Sequence, residues 1–516
     1  MIHALSHRSR LITFVVGCAG VTAGVILHIP MYLMGRDNGY RLAGMPMDDG
    51  MLWGMAFIIG GIALAGYGLY PRAPHAADRA HRIVVTAPED APLGPAHFRL
   101  MVVLTLALVI DVMKPASLGF VVPGMTVEYE VSRTFVAWLP FAALCGTVVG
   151  SIVWGVLADL YGRRASMLLS AVMFVGTSIC GAMPSFWWNV GMCFLMGAAA
   201  GGMLPVAYAL LAETMPSRHR GWVLVLVGGM GAIGGYLAAS GSAAWLEPVF
   251  SWRILWFLNL PTGLVVVLLG GLIPESPRFL MALGHQREAD AILRRFGCVT
   301  REEDDAAEET ASYALRGEIP HWVWMTIALT VAATSWGLMN FGLLLWMPAI
   351  LVEKGHAMGS SSQLLASSAL LAVPTVFLAA WLYSRWSTKG ALLGAIFVSL
   401  LGLASLAIPE ESGVSAMWSI ALLIVGCNGI IAMLLPYTAE SYPMRIRGRA
   451  TGWVAACTKG GGLLAQALSL FGLVPDLAGI VLLLLAPVLA ALFLIGRFCI
   501  ETKGLDLRRF EMPTGI

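Results

Sequence analysis

The chain has 516 residues, 58% of them hydrophobic and only 12% charged, about half the charged share of an ordinary soluble domain. So few polar groups cannot coat a water-exposed surface, and lipid is expected to be the main solvent. A formal net charge of +2 is uninformative about partners, no nucleic acid is expected among them, and eight scattered cysteines without a CxxC pair indicate neither a disulfide framework nor a zinc site.

Apolar stretches long enough to cross a bilayer recur at 11–34, 51–70, 99–122, 135–158, 165–183, 187–211, 222–245, 253–273, 322–350, 363–384, 391–408, 416–438, 450–472 and 477–498. All fourteen are expected to be helices, because backbone groups in lipid must be satisfied within their own segment. The first follows His7-Arg8-Ser9-Arg10. It is too long for the core of a signal peptide and no small-residue cleavage site follows it, so it reads as a retained helix. With 51–70 it makes a two-helix membrane extension, residues 1–70. The outer loop of that extension sets Met45, Met47, Met51 and Met55 beside Asp48 and Asp49. Thioethers can take Cu(I), but no thiolate supports them, and neither a metal nor any other cofactor is expected. The polar, Pro/Ala-rich stretch 71–98 reads as a cytoplasmic linker.

The remaining spans divide into six (99–273), a cytoplasmic bridge (274–321), six more (322–500) and a tail (501–516). In the bridge, Ser276 can cap a helix with Pro277 at its first position. Phe279, Leu280, Leu283, Ile292, Leu293 and Phe296 then share one apolar face, laid along the membrane or under the bundle. The acidic run 301–309 reads as a solvated face. With the N-terminus inside, 25 of the 32 Lys and Arg fall on the inner side, 5 on the outer side and 2, Lys114 and Lys459, within spans. Both termini are therefore expected in the cytoplasm.

One phrase is written twice: AETMPSRHRG from Ala212 and AESYPMRIRG from Ala439, six of ten positions identical. Each ends the fourth span of its half, as a duplicated parallel repeat requires. Pro216 and Pro443 stop their helices, and Glu213 and Glu440 stand at the inner boundary, placed to latch the halves through arginine. GVLADLYGRR (155–164) has a degenerate counterpart in WLYSRWSTKG (381–390).

GVLADLYGRR closely resembles the cytoplasmic-loop signature of the major facilitator superfamily. PESPRFL (274–280) and ETKGLDL (501–507) resemble marks of its sugar-porter and organic-ion branches. The resemblance covers about 99–507. It implies an all-α polytopic membrane protein of two pseudo-symmetric six-helix bundles, preceded here by the two-helix extension. It also implies a solute carrier working by alternating access, not an enzyme, in the inner cell membrane and with a monomer as the expected unit. The family's cytoplasmic gate maps onto Gly155, Asp159, Gly162, Arg163, Arg164, Glu213, Arg220, Glu440 and Arg447, whose charges would pair across the bundle interface when the outside is open.

Departures from the family narrow the solute. Met230-Gly231 stands where drug antiporters carry Gly-Pro, Cys193 where many members carry arginine, and Thr334 and Ser335 where sugar porters carry glutamines, although Asn340 matches. The following NFGLLLWMPAILVEKG is more similar to the organic-ion and aromatic-acid symporters. Charges persist inside a bilayer mainly for a purpose, and only Asp111, Lys114 and Lys459 lie well within core spans. Lys459 can anchor a carboxylate. Asp111 and Lys114, three apart on one helix face, form either a self-satisfied pair or, if functional, a proton carrier at Asp111 with its neighbouring cation. Tyr208, Trp336, Asn340, Asn428, Tyr437 and Gln466 complete the candidate lining. The expected function is proton-coupled symport of a small organic anion. A sugar porter, an efflux pump and a membrane solute sensor are the alternatives.

Overall fold

The computed structural model describes residues 2–71, 84–85, 91–298, 300–301, 322–407, 416–442, 444–473 and 476–503. Most of the linker, the acidic run from 302 and the tail from 504 lie outside the described residues. So do Pro443 and the side chains of 444–448, Arg447 among them.

All fourteen apolar stretches fall on helices over their described residues. Twelve described spans are long and apolar enough to cross a membrane. Of the other two, 253–273 breaks into Ile254–Phe257 and Asn259–Leu269, and 450–472 lies, up to residue 470, in Met444–Leu470, whose basic start and polar Thr-Lys-Gly segment lower its hydropathy.

The extension is a hairpin of Ile2–Ile26 and Asp49–Leu69. Asp48 opens the second helix by accepting the Met51 N–H at 2.8 Å. The two helices touch through glycines: a Cβ at Gly61 would stand 2.7 Å from the Gly17 carbonyl, the small-residue contact that joins helices where lipid supplies no hydrophobic drive. The hairpin rests on Leu168, Val172 and Val175 of the first bundle and on Phe257.

The first bundle comprises, as core helices one to six, Pro95–Glu128, Trp138–Tyr161, Arg163–Gly176, the split pair Phe186–Ala200 and Met203–Thr214, Ser217–Phe250, and the split sixth helix. Core helix seven runs from Trp322–Gly337 through a π-helical turn, Leu338–Leu344, to Met347–Glu353. Helices eight to twelve are Met358–Arg385, Thr388–Leu406, Ala416–Ser441, Met444–Leu470 and Leu477–Phe498. The first core helix begins at Pro95 rather than 99, because Gly94 takes the N-cap and Pro95 the first helical position. The bundles meet where the fifth helix packs on the eighth and tenth, and the second on the eleventh.

In the bridge, Ser276 caps Pro277–Ala282 by accepting the Phe279 N–H at 3.1 Å. The chain then turns at Gly284, φ 82°, so the expected amphipathic helix is two pieces, the second being Gln286–Arg295. Phe296 is buried and meets His97 edge-on, ring centres 4.9 Å apart. The segment therefore lies under the first bundle, not along the lipid. Val84–Val85 pairs antiparallel with Thr300–Arg301, tying linker to bridge.

Candidate functional site

A cavity of about 140 Å³ lies between the bundles, walled by helices one, four and five on one side and seven, ten and eleven on the other. Duplication explains the placement: helices one and four of the first half are the counterparts of seven and ten of the second. Most of the wall is apolar or aromatic. Phe120 and Tyr236 lie 6.0 Å apart and tilted, while Trp336 and Phe341 meet edge-on at 5.7 Å. Lys459 is the only cation among the lining residues, with Nζ 5.2 Å from the centre of the Phe341 ring.

Of the residues singled out in the sequence, Tyr208, Trp336, Asn340, Asn428 and Lys459 line this cavity. The Trp336 indole donates to the Cys427 carbonyl at 2.8 Å, so its ring face is fixed as wall. Asn428 donates to Ile424 at 2.9 Å, leaving its carbonyl oxygen available. Tyr208 lies across Gly228, where a Cβ would overlap its hydroxyl. Lys459 is placed by close approach of helices seven and eleven: a Cβ at Gly461 would come 2.2 Å from the Thr334 carbonyl.

Tyr437 and Gln466 do not line the cavity. Tyr437 is buried and donates to the Ile500 carbonyl. Gln466 donates to the Phe341 carbonyl and accepts the Trp346 indole N–H at 3.2 Å. It thereby clamps the π-turn that presents Asn340 and Phe341, a widened geometry frequent at functional sites. Lys114 also turns away. Its Nζ donates to the Phe174 carbonyl at 2.5 Å and the Thr177 hydroxyl at 2.6 Å, 3.1 Å from the centre of the Phe174 ring. Asp111 is buried behind the wall with Oδ1 unpartnered, and Lys459 and Lys114 are the cations whose charge it feels.

At the basic end of the bundles the charged residues form two copies of one arrangement. Glu275 accepts the backbone N–H of Arg163 at 2.6 Å and of Arg164 at 3.2 Å, groups that the third helix leaves free at its start. The approach requires Gly162, at φ 98°, because a Cβ there would strike the Glu275 carboxylate. Ser276 donates to Glu213. In the second half Glu501 accepts the Thr388 N–H at 2.9 Å at the start of helix nine, and Thr502 donates to Glu440 at 3.0 Å. Burial pushes the Glu275 carboxyl above its ordinary value. Burial pushes Glu501 the same way, but hydrogen bonds from the Ser387 and Thr388 hydroxyls and from the Lys503 and Thr388 N–H groups together outweigh it and draw that carboxyl down to about 2.

The ion pairs of the loop stay inside the first bundle: Arg163 holds Asp159 at 2.9 Å and Glu213 at 3.6 Å. Gly155 faces open space, and Arg164, which meets Glu275 through its backbone N–H, is half-buried. Across the interface, Glu440 lies against Gly221, next to Arg220, so closely that a Cβ on Gly221 would stand 2.7 Å from its Oε1; within its own bundle Glu440 accepts from Tyr383 at 2.7 Å.

Sequence reasoning passed over Glu275, Glu501, Tyr236 and Phe341. Three of these carried a readable signal. Glu275-Ser276 and Glu501-Thr502 recur at nearly the same offset as the duplicated phrase, and Gly228, Ala232 and Tyr236 fall four apart on one helix stripe.

Two duplicated six-helix bundles around a central cavity, with a polar network at one end, define a membrane solute carrier. The Major Facilitator Superfamily model matches residues 104–466, and the chain belongs to that family. It is similar to the niacin transporter of Acinetobacter baylyi, 24% identical over 400 residues, 74% of this chain and 88% of that protein. The 4-hydroxybenzoate transporter of Pseudomonas putida is 26% identical over 444 residues, 80% and 94% of the two chains. The solved proton:xylose symporter XylE shares the fold, with TM-score 0.64 and 18% identity over 80% of this chain and 98% of that one. The protein is thus a multi-pass membrane transporter of a small solute, not an enzyme. Its hairpin precedes the matched region.

Proposed function

We propose that this protein takes up a single-ring aromatic monocarboxylate across the bacterial inner membrane, in symport with protons. The observation that carries the reading is Lys459, the one cation in an aromatic-walled cavity. A carboxylate would pair with its ammonium while the ring lies among Phe120, Tyr236, Trp336 and Phe341. The volume of about 140 Å³ is below the roughly 300–1,000 Å³ of drug-sized sites, which favours one ring over a drug. A sugar would need more hydrogen-bonding groups than two amides and two phenols provide. The relatives named for niacin and 4-hydroxybenzoate carry ring carboxylates of this kind. Asp111, buried within reach of the Lys459 charge, is the candidate proton carrier.

Transport follows alternating access. The units 99–273 and 322–500 rock about the cavity, and the Glu213 and Glu440 networks hold the inner end. The basic end and both termini face the cytoplasm by the distribution of Lys and Arg, and a single chain is the working unit. The test is uptake of labelled niacin and 4-hydroxybenzoate by cells making the Lys459→Ala variant. Loss of a buried charged partner is expected to lower uptake roughly 30-fold or more at unchanged membrane level, with Lys459→Arg keeping part of the rate. Unchanged uptake by Lys459→Ala would overturn the anchor.

A further inference from the structure

The hairpin that precedes the family's twelve helices is joined to the end of the molecule opposite the Glu213 and Glu440 networks. Its loop is fastened there. Leu42 and Ala43 donate backbone N–H to Glu128 Oε1 at 2.7 and 3.1 Å. Glu128 closes the first core helix and is held in turn by fully buried Arg253 at 2.6 Å and by the Trp252 indole at 3.0 Å. The Gly44 N–H donates to the Pro184 carbonyl at 3.1 Å. Tyr32 donates to the Phe250 carbonyl at 2.7 Å and stacks on Tyr40, ring centres 4.7 Å apart. Every core residue in this set belongs to the first bundle.

Backbone strain gathers at the same junction. Among the described residues, three that are not glycine have positive φ: Tyr40 at 61°, Glu130 at 53° and Ser251 at 63°. One lies in the hairpin loop, one just past the first core helix and one just past the fifth. Such conformations persist where surrounding contacts over-determine them, often at working parts of a protein.

The junction walls a second cavity, of about 400 Å³. Gly39 and Arg41 line it from the hairpin, Glu128 and Pro248 from the first bundle, and Val352 and Met358 from the second. Beside it the bundles touch, since a Cβ on Gly359 would sit 3.5 Å from Pro248. The walls of this chamber therefore belong to two bodies, and the hairpin rides on one of them.

We propose that the hairpin loop is the outer lip of the solute entrance. It moves as part of the first bundle, and its Arg41 edge separates from the Val352–Met358 edge each time the carrier opens outward. The inference rests on the alternating-access reading above and gives the extension a place in it.

The test is a set of cysteine pairs bridged in intact cells by a short, reducible, membrane-impermeant bis-thiol reagent. Single-cysteine variants serve as controls for the native thiols, and bridging is scored by mass. Bridging Arg41→Cys with Met358→Cys, or with Val352→Cys where that bridge forms poorly, is expected to lower uptake about tenfold or more, with recovery on reduction. Bridging Arg41→Cys with Val127→Cys, both on the first-bundle side, should leave uptake unchanged; a block there would show the hairpin moving on its own and overturn the proposal. Pro248→Cys with Gly359→Cys spans the bundles without the hairpin. If this bridge blocks uptake and the Arg41–Met358 bridge does not, the lip is refuted while alternating access stands. If neither blocks, both fail.

Discussion

Lys114 and Lys459 show how little a residue's identity says about its work inside a membrane. Both are lysines on core helices, and both would be costly without compensation. Lys114 is satisfied by a carbonyl, a hydroxyl and a ring face from the third helix, whereas Lys459 looks into the cavity. The carboxylates of the duplicated network diverge in the same way. Glu275 and Glu501 occupy equivalent positions, yet burial wins at the first, while at the second the summed hydrogen bonds from hydroxyl and backbone donors outweigh it. Because the Glu501 carboxyl is drawn from 4.5 to about 2, its contribution to stability is complete above about pH 4.5 and disappears as pH falls toward 2. The melting-temperature gap between the wild type and Glu501→Gln is expected to be flat from pH 8 to 5 and to close below 4. A gap that instead opened on acidification would contradict the assignment.

Among the elements, the seventh core helix is the most telling. A regular α-helix through 338–344 would rotate everything beyond it, and the π-turn re-aims Asn340 and Phe341 into the cavity. The turn is closed by the Leu345 N–H to the Asn340 carbonyl at 3.1 Å and held from outside by Gln466. Gln466→Leu removes the clamp's two hydrogen bonds, from the Trp346 indole and to the Phe341 carbonyl, a loss of about 1–3 kcal/mol in a buried setting. The expected result is a raised KM for solute, with the protein still in the membrane and a modestly lower Tm. An unchanged KM would mean that the turn stands without its clamp. Close glycine contact packs helices seven and eleven directly together, so Lys459 stands on the helix next to the one that carries Asn340 and Phe341.

For the whole molecule, the division into two bundles decides what each charge can do. Asp111 belongs to the first bundle and Lys459 to the second, so rocking would change the distance between them. In the proposed cycle that change of distance would link solute binding to the protonation of Asp111. The Asp111→Asn variant is therefore expected to lose gradient-driven accumulation while retaining exchange of labelled for unlabelled solute. Measuring both in proteoliposomes with and without a pH gradient checks this. Accumulation surviving in Asp111→Asn would move the proton elsewhere.

The number and approximate placement of the membrane helices, the duplication and the basic end were legible in the chain itself, because each is a local or periodic property: apolar length, a repeated phrase, the sorting of Lys and Arg. Family resemblance placed Asp159, Arg163 and Glu213 in one network and implied pairing across the bundle interface, whereas here Arg163 pairs with Asp159 and Glu213 inside the first bundle. Tyr208, Asn340 and Lys459 were legible as polar residues in apolar spans, yet so were Tyr437, Gln466 and Lys114, which face elsewhere. Spacing along one helix ranks its faces but does not say which neighbour each face meets. That was decided by tertiary packing: glycine contacts setting helix separations, the π-turn rotating one helix, and the hairpin loop tied to Glu128 across 85 residues of sequence.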